Sequence, residues 1–140
     1  MLEVYSKSVT ALANSAIPLN NVALDKGTST KLQGVSTIEF NKCGVYKVSV
    51  SASAVATVAG AITIQLEKNG VIQPQAEMSA TAADTTTIYP LAFTTLVQVD
   101  HNNCNCPCSS PDRISLINAG VGMLVTMNAT IEKKMKVICA

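Results

Sequence analysis

The sequence has few charged residues and few aromatic ones. Of its 140 residues, 14% are charged and 4% are aromatic, and Trp is absent. A soluble domain usually has about 25% charged residues. Either Ser, Thr, Asn, Gln and Ala cover most of this surface, or partners cover part of it. We expect partners, because a weakly charged surface does little to oppose association.

The balance of charge also argues against a nucleic-acid partner. The formal net charge is +1, and the nine Lys residues and one Arg are scattered along the chain. Binding to phosphates needs Lys and Arg clustered on one surface. The one cluster, Lys133, Lys134 and Lys136, lies near the C-terminus, where we expect a solvated end of the chain.

Long apolar runs are missing as well. No run approaches the roughly 20 residues of a membrane-spanning helix, and residues 1–7 lack the apolar core of a signal peptide. We therefore expect no membrane partner. We expect the chain to stay in the cytosol until a non-secretory event, such as virus assembly and cell lysis, releases it.

Residues suited to catalysis are scarce. His101 is the only His, and no Gly-x-Ser-x-Gly nucleophile elbow is present. A Cys–His pair near His101 would lack the third group that orients such a pair. Asp84, Asp100 and Asp112 are isolated, and they do not form the alternating acidic loop that binds calcium. We expect a non-enzymatic protein without a cofactor.

Residues 100–111 form the most unusual segment, because single residues separate its three cysteines, Cys104, Cys106 and Cys108. Three interpretations stay open. The favoured one is disulfide bonding, with Cys43 and Cys139 as further candidates; the five cysteines leave one unpaired within the chain, which invites a bond between subunits. The second is free thiols in a surface loop. The third is a metal site of these three cysteines with His101, although structural zinc sites usually space cysteines by about two to four residues.

Alternation of apolar and polar residues predicts strands through most of the chain. In residues 45–56 the apolar set is Tyr46, Val48, Val50, Ala52 and Ala54, and Lys or Ser stands between its members. This period of two indicates a half-buried strand. Residues 62–67 repeat the pattern. Asn69-Gly70 follows, and such a pair between apolar runs predicts a tight hairpin because both residues accept positive φ.

Further strands are predicted in residues 16–24, 34–40, 85–99, 114–117 and 123–131. Pro90 cannot donate to a strand ladder, so its end of the strand should lie at an edge or bulge. Seven or more strands separated by turns predict one all-β sandwich or barrel. A single helical turn is predicted in residues 8–14. The predicted inward residues are Tyr46, Val48, Val50, Ile62, Ile64, Leu66, Phe93, Ile114 and Leu116.

Three motifs resemble those of a known family. They are residues 38–48, where Gly44-x-Tyr46 opens a strand, the hairpin at residues 64–70, and residues 16–20. Over residues 16–131 their order is similar to the complement-globular-head and tumour-necrosis-factor-like jelly rolls, especially short phage head-fibre or decoration proteins and spore-surface glycoprotein heads. The resemblance implies a two-sheet antiparallel jelly-roll sandwich of ten strands that assembles as a compact homotrimer. With so few aromatics, Val, Ile, Leu and Met would have to seal that interface.

The resemblance and the missing catalytic groups together favour a virion structural protein. We expect residues 1–15 to be an N-terminal segment that anchors on the major capsid protein or another virion protein, and residues 16–140 to be the jelly roll. The chain would then be a trimeric phage capsid decoration or head-fibre protein. The alternatives are a spore-surface head domain, for which Gly-X-Y repeats are missing, and a carbohydrate- or receptor-binding fibre tip, for which exposed aromatics are few.

The cysteine segment yields the first prediction. Replacing Cys104, Cys106 and Cys108 together by Ser should lower Tm without abolishing the fold, because a disulfide contributes at most about 2–4 kcal/mol to a domain with its own core. Melting curves of wild type and variant, each with and without reductant and chelator, test this. If neither the treatments nor the substitutions shift the curve, nothing ties the segment.

Overall fold

A computed structural model describes residues 1–27, 30–99 and 112–135. These residues form strands and no helix, so the helical turn predicted at residues 8–14 is wrong. Nothing in this part of the chain is a helix long and apolar enough to cross a membrane. The strands are β1 (Leu2–Ala11), β2 (Ser15–Ala16), β3 (Asn21–Asp25), β4 (Thr30–Gln33), β5 (Thr37–Phe40), β6 (Gly44–Ala56), β7 (Gly60–Lys68), β8 (Val71–Ala82), β9 (Tyr89–Val99), β10 (Asp112–Asn118) and β11 (Met123–Met135).

The strands form two antiparallel sheets, which confirms the predicted jelly-roll sandwich. One sheet has the order β3-β1-β11-β6-β9, and the other has the order β4-β5-β10-β7-β8, with β2 paired to β10. Neighbours in a sheet are mostly distant in sequence, since the chain repeatedly passes from one sheet to the other. β8 and β9 are edge strands, so Pro74 and Pro90 are tolerated in them. This confirms the prediction that Pro90 lies at a sheet edge.

The core lies between the two sheets, where every second residue of β6, and of β11 as far as Ile131, is buried. Eight of the nine residues predicted to face inward are buried. The ninth, Phe93, is half-buried and packs against the core. Tyr46 of the Gly-x-Tyr motif is fully buried, and its ring lies 4.6 Å from that of Phe40, centroid to centroid.

The Asn69-Gly70 hairpin is also confirmed. Asn69 has a φ of +53° and Gly70 a φ of +83°, which are the left-handed conformations that a two-residue hairpin turn requires. Beyond Ile72 the sequence showed no clear alternation, and β8 was missed there. Its outer edge is unpaired and most of its residues are exposed, so burial imposes little pattern on the sequence.

The sequence predicted that the N-terminal residues precede the jelly roll. In the structure they form part of it. β1 lies between β3 and β11, and Leu2 and Val4 are fully buried. The sequence concealed this strand because its alternation breaks at a bulge after Ser6, where Ser8 has a φ of +52°. Residues 1–15 are therefore not a separate segment, and deleting them would remove an inner strand of the sheet.

A buried asparagine joins the end of β1 to the turn between β10 and β11 at one end of the sandwich. Asn118 is fully buried at the end of β10, and its Nδ2 donates to the carbonyls of Ala11, at 3.0 Å, and Val121, at 2.9 Å. Its Oδ1 accepts from the backbone N–H of Gly120 at 3.0 Å. Gly120 passes so close to β7 that a Cβ would collide with the carbonyl oxygen of Ala61.

We expect Asn118→Ala to lower the free energy of unfolding by about 1–3 kcal/mol. The variant removes the donor from the buried carbonyl of Ala11 and from the half-buried carbonyl of Val121, and an unsatisfied buried group costs about that much. Urea unfolding monitored by circular dichroism measures the change.

Ser6 supplies a matched control, because its fully buried hydroxyl has no hydrogen-bond partner among the described protein atoms. Ser6→Ala should therefore be neutral or stabilising, since it removes a buried polar group and orphans no partner. If both alanine variants lose the same stability, the hydrogen bonds of Asn118 are not the cause of its loss.

Candidate assembly interface

The outer surface of the five-stranded sheet, which we call the assembly face, is built from the outward residues of β1, β11, β6 and β9. The strand register arranges these residues in rows across the sheet. The middle row runs Tyr5–Asn128–Ser51–Ala92. The flanking rows run Thr126–Ser53–Pro90 and Glu3–Thr130–Ser49–Thr94.

The centre of the assembly face is uncharged, and most of its residues are small; the large exception is Tyr5. The middle row and the Thr126 row border a shallow groove of about 570 Å³, and the one charged residue at its rim is Lys7, beside the bulge in β1. The side chains of Ser51, Ala92 and Thr126 are exposed to solvent. Short side chains leave the surface nearly flat, so another surface can approach the backbone of the sheet closely.

One end of the assembly face is apolar. Leu124 is opposite Thr10 on one side and Val55 on the other, and Ile88 stands just before β9. Leu124 is 46% exposed and Ile88 is 65% exposed. These two residues and Val55 line a hollow of about 240 Å³. Apolar side chains exposed together mark a surface that gains stability when it is covered.

The opposite end of the face carries charge. Glu132 is opposite Lys47 in the register, and its Oε1 lies 3.4 Å from Nζ of Lys134. Glu3 accepts a 2.8 Å hydrogen bond from Nδ2 of Asn128. The assembly face therefore changes along the strands from apolar, through neutral and polar, to an end where charged residues stand beside exposed Leu96, which is opposite Lys47.

On the outer surface of the six-stranded sheet, several side chains bond to one another across the strands, and some of these pairs are charged. Nε of Arg113 lies 3.0 Å from Oε2 of Glu39, and Nε2 of Gln65 lies 3.2 Å from Oε2 of Glu77. The hydroxyls of Thr63 and Ser79 are 2.9 Å apart. Charged and mutually bonded side chains of this kind suit a surface that faces water.

The sequence showed which residues of β6 and β11 face outward, but it did not single them out as an interface. The available signal was the lack of charge at Ser49, Ser51 and Ser53, on the polar side of the alternation. That signal depends on β6 lying between β9 and β11, whose outward residues are also uncharged at this level. The pairing of distant strands was not readable from the sequence.

Of the residues predicted to form disulfides or a metal site, the structure describes only Cys43. Cys43 is buried just before β6. The pairs Phe40–Asp112 and Gly44–Val99 place it between the two points where residues 100–111 join the sandwich. His101, Cys104, Cys106, Cys108 and Cys139 lie outside the described residues, so the disulfide and metal interpretations stay predictions. Within the described ranges, no group of three or more His, Cys, Asp and Glu side chains could hold a metal.

The apolar end of the sandwich carries Asp84 in the turn between β8 and β9. Oδ1 of Asp84 accepts from the backbone N–H of Thr87 at 2.9 Å and of Thr86 at 3.1 Å, and Oδ2 accepts from the hydroxyl of Thr87 at 3.0 Å. These bonds favour the carboxylate, the Thr87 backbone bond most strongly, and they lower the pKa of Asp84. The carboxylate thus organises the turn that leads to Ile88.

This arrangement predicts how the turn responds to acid. Because the folded-state pKa of Asp84 is lowered, the stabilisation is fully present above the unfolded value of about 3.9. It is lost as the pH falls through the lower folded value. An NMR titration of the Asp84 carboxyl, together with amide exchange at Thr86 and Thr87, should show both changes at the same pH. A carboxyl that titrates at its ordinary value would contradict the assignment.

Comparisons with known proteins support the fold. No protein-family model matches the sequence, and no curated protein matches it. Solved structures do match. Eiger TNF from S. frugiperda matches with a TM-score of 0.73 at 10% identity, and the match covers 99% of this chain and 94% of the Eiger chain. PRD1 vertex protein P5 has a TM-score of 0.59 at 13% identity, covering 98% of this chain and 96% of its own. Murine APRIL has a TM-score of 0.60 at 10% identity, covering 94% and 98%. The protein therefore has a tumour-necrosis-factor-like jelly-roll fold.

Proposed function

We propose that this protein is a non-enzymatic structural component of a virion, a phage capsid decoration or head-fibre protein, which assembles as a homotrimer through its assembly face. The observation that carries the proposal is the uncharged centre of that face, in the row Tyr5–Asn128–Ser51–Ala92. On the opposite sheet, side chains such as Arg113 with Glu39 and Gln65 with Glu77 are bonded across the strands.

Small side chains suit a threefold arrangement of this face. Three sheets that meet around one axis must approach closely, and Ser51, Ala92 and Thr126 add little bulk between them. At one end of the axis, Leu124 and Ile88 would be covered by the neighbouring copies. At the other end, Lys47 and Glu132 supply opposite charges that can pair between copies. The gradient along the face therefore fits an axis that runs along the strands.

The fold likeness supports a role on a particle. A phage vertex protein, PRD1 P5, shares the fold over nearly the whole of both chains. A spore-surface head domain is the alternative of the same class, and it would use the same trimer. A carbohydrate-binding fibre tip is less favoured, because Tyr5, at 37%, is the one aromatic side chain among the described residues that ranks as exposed.

We expect Ser51→Arg to disrupt the trimer and leave the fold intact. Ser51 is exposed in the middle row, so each copy would bring an arginine toward the axis, where three like charges repel one another. Native mass spectrometry should show wild type at three times the chain mass and the variant mainly at the mass of one chain. Circular dichroism should show equal strand content in both.

The matched control is Gln33→Arg, which places the same charge on an exposed position of edge strand β4 in the other sheet. This variant should stay trimeric. A wild-type protein that remains monomeric at micromolar concentration contradicts the trimer. A Ser51→Arg protein that remains trimeric contradicts the choice of interface.

The virion role needs a separate test. Particles purified by density gradient from the culture that produces the protein should contain it, by mass spectrometry, and antibodies against it should label their exterior in immunogold electron microscopy. Detection only in unassembled cell protein, or on spores rather than on virions, would overturn this part of the proposal and leave the trimer standing.

A further inference from the structure

The turn between β7 and β8 is joined to the start of β10 by one asparagine. Oδ1 of Asn69 accepts from the backbone N–H of Arg113 at 2.9 Å, and Nδ2 of Asn69 donates to Oδ1 of Asp112 at 2.9 Å. The backbone N–H of Asn69 also donates to the carbonyl of Arg113 at 2.8 Å. Both polar atoms of the Asn69 side chain are thus engaged by β10, although the residue itself is exposed.

The neighbouring lysine extends this connection to a third strand. Nζ of Lys68 donates to the carbonyl of Gln98 in β9 at 2.7 Å, and it lies 3.7 Å from Oδ2 of Asp112. We call Lys68, Asn69 and Asp112 the clamp. Its contacts join the end of β9 to the start of β10, and so to the two points where residues 100–111 join the sandwich.

Asn69 also has a particular chemical lability. It is the only Asn in the chain that is followed by Gly. An Asn-Gly sequence is prone to deamidation because glycine has no Cβ to shield its backbone nitrogen from the preceding side chain. Gly70 is exposed and has a φ of +83°, so water and base reach its amide.

We propose that Asn69 is a site of spontaneous deamidation, that its hydrogen bonds to β10 restrain the reaction in the folded protein, and that the product opens the clamp. The reaction requires the carbon Cγ of Asn69 to meet the backbone nitrogen of Gly70. While Oδ1 and Nδ2 are bonded to Arg113 and Asp112, the amide is held against β10, and it must leave those partners before it reacts.

The chemistry needs only water. The backbone nitrogen of Gly70 loses its proton and bonds to Cγ of Asn69; the Cγ–Nδ2 bond breaks, and the nitrogen leaves as ammonia after protonation. Water then opens the resulting succinimide ring. Attack at Cγ gives aspartate, and attack at the backbone carbonyl carbon gives isoaspartate. In sum, one amide and one water become one carboxylic acid and one ammonia.

Deamidation replaces the donor group of Asn69 by an acceptor at its contact with Asp112. The Nδ2 group that donated to Asp112 becomes a carboxylate oxygen, which brings two carboxylates together where a hydrogen bond stood. Like charges this close oppose each other strongly. Isoaspartate in addition lengthens the backbone by one carbon, which a two-residue turn cannot accommodate. Either product removes the side-chain bond from the β7–β8 turn to Asp112, while the backbone bond from Asn69 to Arg113 remains. The change cannot reverse spontaneously to the amide.

The restraint is tested by the deamidation rate of the full-length folded protein. Wild type, Asp112→Ala and the control Asp25→Ala are incubated in mildly alkaline buffer, and peptide mapping by mass spectrometry follows the amide-to-acid conversion at Asn69. Asp25 is an exposed aspartate on β3, away from the turn. We expect several-fold faster conversion in Asp112→Ala, no change in Asp25→Ala, and faster conversion still in urea-unfolded wild type.

The other outcomes overturn the proposal. If folded wild type reacts as fast as the unfolded chain, the fold does not restrain the site. If conversion in Asp112→Ala equals that in wild type, the Asp112 bond is not the restraint. If Asn69 stays unmodified even in the unfolded chain, it is no deamidation site. Conversion of other Asn residues in Asp112→Ala would show general unfolding, which also counts against a local restraint.

The consequence for the clamp is tested by making the product directly. Asn69→Asp should lower Tm and increase amide exchange at Arg113, whose N–H donates to the turn. The swap variant Asn69→Asp/Asp112→Asn restores one donor and one acceptor to the pair, so it should recover most of the loss. If the single variant melts like wild type, or if the swap recovers nothing, repulsion at Asp112 does not open the clamp.

Discussion

The pairing of β6 with β11 is the constraint on which the rest of the molecule depends. The two strands stay in register without interruption from Met123 opposite Ala56 to Lys133 opposite Tyr46. A shift by one residue would turn every side chain of a strand to the other face. This pairing therefore decides at once which residues enter the core, such as Val48, Val50 and Met127, and which remain on the assembly face.

The two outer surfaces of the sandwich differ in the charge and bonding of their side chains. On the six-stranded sheet, opposite charges and amides such as Arg113 with Glu39 and Gln65 with Glu77 bond across the strands. On the five-stranded sheet, the centre has little charge, and the apolar residues Leu124 and Ile88 remain exposed at one end. The centre of the five-stranded sheet is therefore the surface on which the proposed association rests.

The two ends of the sandwich are held by different chemistry. At the apolar end, Asn118 and Asp84 organise turns by bonding to backbone groups. At the other end, Lys68, Asn69 and Asp112 bond β7, β9 and β10 through side chains. Asp84 bonds only within its own turn, and Asn118 ties its turn to one other strand, β1. The clamp depends on three strands at once, so a single covalent change at Asn69 can affect the whole of that end.

The sequence by itself determined the local structure. Alternation located β6, β7, β9, β10 and β11 and most of the core, Asn69-Gly70 located a hairpin, and Pro90 marked an edge. These features depend on residues close together in the chain, whose spacing is visible in the sequence. Where that local pattern is interrupted, at the Lys7–Ser8 bulge of β1, or weak, as in edge strand β8, the prediction missed a strand.

Only the tertiary structure decided which strands are neighbours. Leu2 faces Ile131, and Asn69 reaches Asp112, across separations that no spacing rule covers. The assembly face and the clamp both arise from such pairings, because each brings together side chains from strands that are far apart in the sequence. The composition shows only that charged residues are scarce. The uncharged centre of the assembly face arises from the order of strands in the five-stranded sheet, and that order forms as the apolar sides of the two sheets are buried against each other.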